Sequence, residues 1–148
     1  MMNDEIRNLA KQTFNQTWDY IEKETRTVEE TLRMIDLTFK SKYYWSLVGN
    51  QVNFIRSNWQ VSRVFAEANL LEASLYFAKK VLDDSIKLNL QDFDLFFAYE
   101  ANVRVYHLLK DYTHRDLMLK KAKAAIMTIE KDSDKRYCLL ELEKIMKL

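Results

Sequence analysis

Apolar residues recur along this chain at spacings of three and four, the period that collects them on one face of a helix. Ile6, Ala10, Phe14, Trp18 and Ile21 predict a first helix over about Asn3 to Glu24. Thr27-Val28-Glu29-Glu30 then reads as a capping box, in which the Thr side chain accepts from the amide three residues on and Glu30 reaches back. Val28, Leu32, Ile35, Phe39, Tyr43 and Leu47 follow as the expected buried stripe of a second helix, and Gly49 stands where a left-handed C-cap would end it. A third helix, about Gln51 to Ala68, carries Val52, Ile55, Trp59, Ser62 and Ala66 on one face and Asn53, Arg56, Gln60, Arg63 and Glu67 beside it. Leu71, Leu75, Ala78, Leu82 and Ile86 predict a fourth, to Leu88.

The stretch from Asp92 to Tyr106 breaks the alternation of faces, being apolar almost all the way round. A helix of that kind belongs at the centre of a domain, yet this one carries Glu100 and Arg104 four residues apart. Charges are rarely fully buried unless paired, so the two form either a structural ion pair or part of a polar pocket. Asp92 is expected to cap this fifth helix. Asp111 or Thr113 is expected to cap a sixth, reaching about Glu130, and Asp132-Ser133-Asp134 precedes a terminal helix with Tyr137, Leu140 and Ile145 inward.

The shift that lays Trp18 on Trp59 also lays Arg63-Val64-Phe65 on Arg104-Val105-Tyr106 and Lys79-Lys80 on Lys120-Lys121, and it superposes helix breaks on helix breaks. A period shared by boundaries and side chains favours three antiparallel helical hairpins plus a terminal capping helix over a plain bundle.

Composition agrees. The chain has no proline and one glycine, where average usage gives about 7 and about 10, which leaves few sites for hairpin turns. Its 148 residues fit one domain, 1–148, able to bury roughly 70% of the surface its unfolded chain exposes. Apolar runs fall short of the ~20 residues of a membrane span. Lys and Arg number 23 against 22 Asp and Glu, net +1, so no global basic field draws nucleic acid, and none is expected as a partner. The basic cluster of Lys110, Arg115, Lys120, Lys121 and Lys123 is interleaved with Asp111 and Asp116 and reads as a solvated face. A lone cysteine, Cys138, and a polar N-terminus fit a cytoplasmic location.

The residues Tyr43-Tyr44-Trp45, Arg56, Trp59, Ser62-Arg63-Val64, Asp92-Phe93-Asp94-Leu95, Ala98-Tyr99-Glu100-Ala101 and Arg104 resemble the recurring pattern of a family of small bacterial proteins of unknown function related to tetratricopeptide repeats. The resemblance spans about Trp18 to Arg136. It implies an all-α fold of about seven helices, with tetratricopeptide-like hairpins in a right-handed superhelical stack. Where the family pattern has His-Trp this chain has Tyr44-Trp45, and where it has Gly-Glu before a tryptophan this chain has Ser57-Asn58. The usual repeat signature is degenerate, with a 41-residue spacing in place of about 34.

In such a stack the first helix of each pair lines a concave binding surface. The shift that relates the repeats equates Arg56, Trp59 and Arg63 with Phe97, Glu100 and Arg104. Phe93, Phe97, Glu100, Arg104 and His107 lie within about 40° either side of one helical line. The expected groove therefore holds Arg56, Trp59, Arg63, Phe97, Glu100, Arg104 and His107, with Tyr44 and Trp45 as further aromatic candidates. Arginine forks suit carboxylate, phosphate or peptide backbone, which points to a peptide or protein partner. The same residues also allow a structural Glu100–Arg104 pair, a small anionic ligand at Glu100, Arg104 and His107, or a homodimer interface. His107 and His114 are seven apart and no paired Cys or Glu-x-x-His motif occurs, so the expectation is no enzyme, no metal and no cofactor.

Overall fold

The structure is a computed structural model and describes residues 2–148. Seven α-helices and no strand occur among the described residues: α1 (Asn3–Ile21), α2 (Val28–Val48), α3 (Gln51–Glu67), α4 (Leu71–Lys87), α5 (Asp92–Leu108), α6 (Tyr112–Met127) and α7 (Asp132–Met146). Each helix packs on the next, and α3 also meets α5 while α5 meets α7. The start of α5 follows that of α3, and the start of α6 that of α4, by the period expected from the sequence. No described helix is long and apolar enough to cross a membrane.

Three helices end alike. Asn69, Asn89 and Lys110 each take a left-handed φ, of 59°, 55° and 60°. The amide after each reaches back to a carbonyl in the last turn: Leu70 to Phe65, Leu90 to Ser85, Asp111 to Tyr106. This closes the orphan carbonyls of α3, α4 and α5 without a glycine. The first helix stops at Ile21, short of the expected Glu24, and Arg26 folds back so that its guanidinium donates to the carbonyls of Tyr20, Ile21 and Lys23. The capping box at Thr27 and Glu30 is formed as expected, and Asp111 accepts from the His114 amide.

α5 is central. Phe96, Ala98 and the run from Glu100 to Tyr106 are all buried. The apolar core is a series of small clusters between successive helices: Ile21, Met34 and Val64 join α1, α2 and α3, while Ile55, Val81 and Ala98 join α3, α4 and α5. A larger cluster joins α5, α6 and α7 around Phe96, Ile126, Leu142 and Ile145.

Several expectations are corrected. The apolar stripe expected to be buried on α2 is largely turned outward: Val28, Leu32, Phe39, Tyr43 and Leu47 are exposed, and Met34, Leu37, Thr38 and Ser41 face inward. Small and hydroxyl-bearing side chains let helices approach closely, and their polar atoms are met across the contact. Ser41 Oγ donates to the Ala10 carbonyl at 3.0 Å, and Thr38 Oγ1 donates to Gln60 Oε1 at 3.1 Å. Buried Gln60 donates in turn to the Phe14 carbonyl, tying α1, α2 and α3 together. The same device joins α3 to α4, where Ser62 and Ser74 each donate to the other's carbonyl at 2.9 and 2.8 Å. Asn102 joins α5 to α4 through the Ala78 carbonyl at 2.9 Å. On α4 this leaves Ser74, Ala78, Val81 and Ser85 inside and Ile86 outside. On α7, Cys138, Leu142 and Ile145 are buried while Tyr137 and Leu140 are exposed.

Two cap assignments also change. The residue before α5 is Gln91, which makes no side-chain cap, and Asp92 lies in the first turn with a φ of 54°. Gly49 is extended, with φ −88° and ψ −179°, so a left-handed cap is not what requires glycine. A Cβ there would sit 2.8 Å from the Trp45 carbonyl oxygen and 2.9 Å from Asn53 Cβ. Asn53 is itself held in a reciprocal capping pair with Asn50 at the start of α3. We expect Gly49→Ala to destabilise the fold by about 1–3 kcal/mol through this overpacking, read from the urea unfolding midpoint.

Candidate functional site

Odd-numbered helices present their aromatic residues to one another. Trp18 on α1 meets Trp59 on α3 at 5.6 Å between ring centroids, and Trp59 meets the edge of Phe97 on α5 at 5.4 Å. Phe97 continues to Phe93 at 6.2 Å and to Tyr137 on α7 at 6.5 Å. These rings wall a pocket of about 330 Å³, closed below by Ile55, Val81 and Ala98, with Phe14 beside them. Trp18 and Trp59 stand one period apart in the sequence, and so do Phe14 and Ile55. The period therefore stacks like positions into one wall.

The charged part of the wall is a single ion pair. Arg56 grips Asp94 with both arms of its fork, Nε to Oδ1 and Nη2 to Oδ2, each at 2.9 Å. Bonding to Asp94 raises the Arg56 pKa further above its already high ordinary value. The Arg56 side chain is still 57% exposed, so the fork is held in one orientation while open to solvent. An aromatic pocket with one pre-oriented charged pair at its wall suits an apolar side chain flanked by polar groups.

Of the residues expected in the groove, Arg56, Trp59 and Phe97 meet at this pocket and the others lie elsewhere. Glu100 is 1% exposed and Arg104 7%. Arg104 Nη2 donates to Glu100 Oε2 at 3.4 Å, and the Trp59 indole N–H donates to Glu100 Oε1, also at 3.4 Å. The two charges are closed against each other behind Trp59. Arg63 lies over the Trp18 ring at 5.6 Å and bonds to Glu67. Burial first, and then the Arg104 guanidinium, lower the Arg63 pKa, while Glu100 and Glu67 oppose them. Arg104 Nε has no partner among the described residues. His107 sits near α6, where Arg115 donates to its Nδ1 at 3.0 Å. Burial and that guanidinium hold the imidazole below its ordinary pKa. Tyr44 and Trp45 are half-buried on α2 and are not part of the pocket wall.

Phe93, placed on the groove's helical line by the sequence, does line the pocket, whereas Phe14, Trp18, Asp94 and Tyr137 were absent from the expected groove. The sequence period carried a signal for Trp18 as the counterpart of Trp59, and the same step leads from Phe14 to Ile55, Phe96 and Tyr137. Nothing in the local sequence marks Asp94 as the partner of Arg56. Among the described residues no three His, Cys, Asp or Glu side chains gather as a metal site would require. No protein-family model, curated protein or solved structure matches the chain.

The buried pair makes a sharp stability test. Glu100→Ala leaves the buried Arg104 without its counter-charge, and we expect a loss of about 3–5 kcal/mol. Glu100→Leu with Arg104→Leu should recover most of it, as measured by chemical denaturation. Burial also pushes the Cys138 thiol up to about 11. A raised thiol pKa contributes stability that is complete below the unfolded value of about 9 and is lost as pH rises towards about 11. At pH 8 we expect Cys138 to react with a thiol reagent only in denaturant, as followed by absorbance.

Proposed function

We propose that this chain is a non-catalytic, tetratricopeptide-like interaction module that binds a peptide or a partner protein segment. The observation that carries the reading is the aromatic pocket with its forked Arg56–Asp94 pair. Three features support a repeat stack as its frame: α1, α3 and α5 each pair with the helix that follows, the starts of α3 and α5 and those of α4 and α6 are one sequence period apart, and α7 packs on both α5 and α6. In that frame α1, α3, α5 and α7 line the concave side of a right-handed superhelix, and α7 closes its end. An aromatic or long aliphatic side chain of the partner enters between Trp59, Phe93 and Tyr137. A carboxylate or main-chain carbonyl beside that anchor takes a bond from Arg56, and a basic group takes Asp94. Glu100, Arg104 and Arg63 support the wall from behind without touching the partner.

The pocket variants that test this are Phe93→Ala and Tyr137→Ala, because both side chains are exposed and their loss leaves the core intact. A peptide array screened with the wild type supplies the probe peptide, and titration is followed by the fluorescence of Trp18 and Trp59 within the wall. We expect each variant to weaken binding about thirtyfold, as for a central anchor contact. Arg56→Ala should weaken it less and reduce its salt dependence. Equal affinity of wild type and both aromatic variants would move the partner site away from the pocket.

A further inference from the structure

We propose that the outward face of α2 is a self-association surface on which a second copy of this chain docks, antiparallel, about a two-fold axis. Val28, Leu32, Tyr43 and Leu47 are 76%, 57%, 61% and 52% exposed, and half-buried Ile35 and exposed Phe39 complete one stripe along the helix. The spacing from Val28 through Leu32 and Ile35 to Phe39 is four, three, four, the seam pattern by which one helix packs along another. Contiguous apolar surface on this scale marks an interaction site. It stands apart from the aromatic pocket, whose wall takes no residue from α2.

The charges beside the stripe select the occupant. Glu29, Arg33, Asp36 and Lys40 are all exposed, and they lie within about 60° of one another at 100° per residue, along one flank of the seam. Their signs alternate, and among the described residues none of the four forms an ion pair. Two α2 helices crossing antiparallel about a point between Met34 and Ile35 set Glu29 against Lys40 of the second copy and Arg33 against Asp36 of the second copy. The two-fold then repeats both pairs. Phe39 falls between the levels of Val28 and Leu32 of the second copy, so the apolar seam interlocks in the same register. A parallel arrangement brings each charge level with its own like. Self-complementarity of one patch under a two-fold is what a closed dimer requires, and the net charge of +1 adds little repulsion between copies.

Sedimentation equilibrium of the full chain over a wide concentration range tests the pairing, with circular dichroism confirming that each variant is folded. The wild type is expected to dimerise. Arg33→Glu and Asp36→Arg, each alone, set like charges face to face twice and should weaken the dimer by about tenfold or more. An equimolar mixture of the two variants restores opposite charges at both positions and should dimerise as tightly as the wild type. Leu32→Asp should leave a monomer. A wild type that stays monomeric throughout overturns the proposal, and so does a mixture that associates no better than its components. A dimer indifferent to both charge reversals also overturns it, since its interface then lies elsewhere.

Discussion

A single buried carboxylate sets the terms for the middle of this fold. Glu100 lies on the most enclosed helix, with Arg104 one turn further along and the Trp59 indole from the neighbouring helix completing its contacts. Removing a carboxylate from water is costly, and its attraction to a guanidinium offsets that cost only when geometry and further bonds are supplied. The opposite charge comes from its own helix and the second donor from α3, so the bonds are satisfied only when α3 and α5 lie side by side in one register. Arg63, Glu67 and Arg26 extend the line of alternating charge toward the start of α2.

The helix pairs are fastened by a different chemistry, repeated with variations. A hydroxyl or amide on one helix bonds to a carbonyl or side-chain oxygen on the next, as Ser41, Thr38, Ser62, Ser74 and Asn102 do. Threonines on α1 turn their hydroxyls back on their own helix, Thr13 to Leu9 and Thr17 to Thr13, and so present a small face. Close backbone approach at these contacts leaves the large side chains to other surfaces. Trp18, Trp59, Phe93 and Phe97 accordingly gather in the pocket, while Val28, Leu32, Phe39, Tyr43 and Leu47 of α2 are turned to the outside.

The chain thus keeps its charges in two regimes. Glu100 and Arg104 are almost without solvent contact, where they act on packing. Arg56 and Asp94 are held by a bidentate bond at an open wall, where water and a partner can reach the same atoms. Between them stands Trp59, one of whose contacts is the buried carboxylate and another the rings of the pocket. Packing behind the wall therefore bears directly on the orientation of the indole that faces outward.

Sequence by itself determined the all-α class, the number of helices and most of their limits, because capping pairs and helical periodicity are local properties of the chain. It also determined the centrality of α5, since a segment apolar on every side has no exposed face to offer. The period that relates Trp18 to Trp59 and Trp59 to Glu100 reached further, and the three residues do meet in space. Tertiary structure alone decided which face of α2 turned inward, because the contact with α1 is built from hydroxyls that a count of apolar positions ignores. It alone decided that Glu100 and Arg104 close on each other while Arg56 finds Asp94. Those choices depend on distances between residues far apart in the chain, and it is there that pairing, burial and exposure are settled.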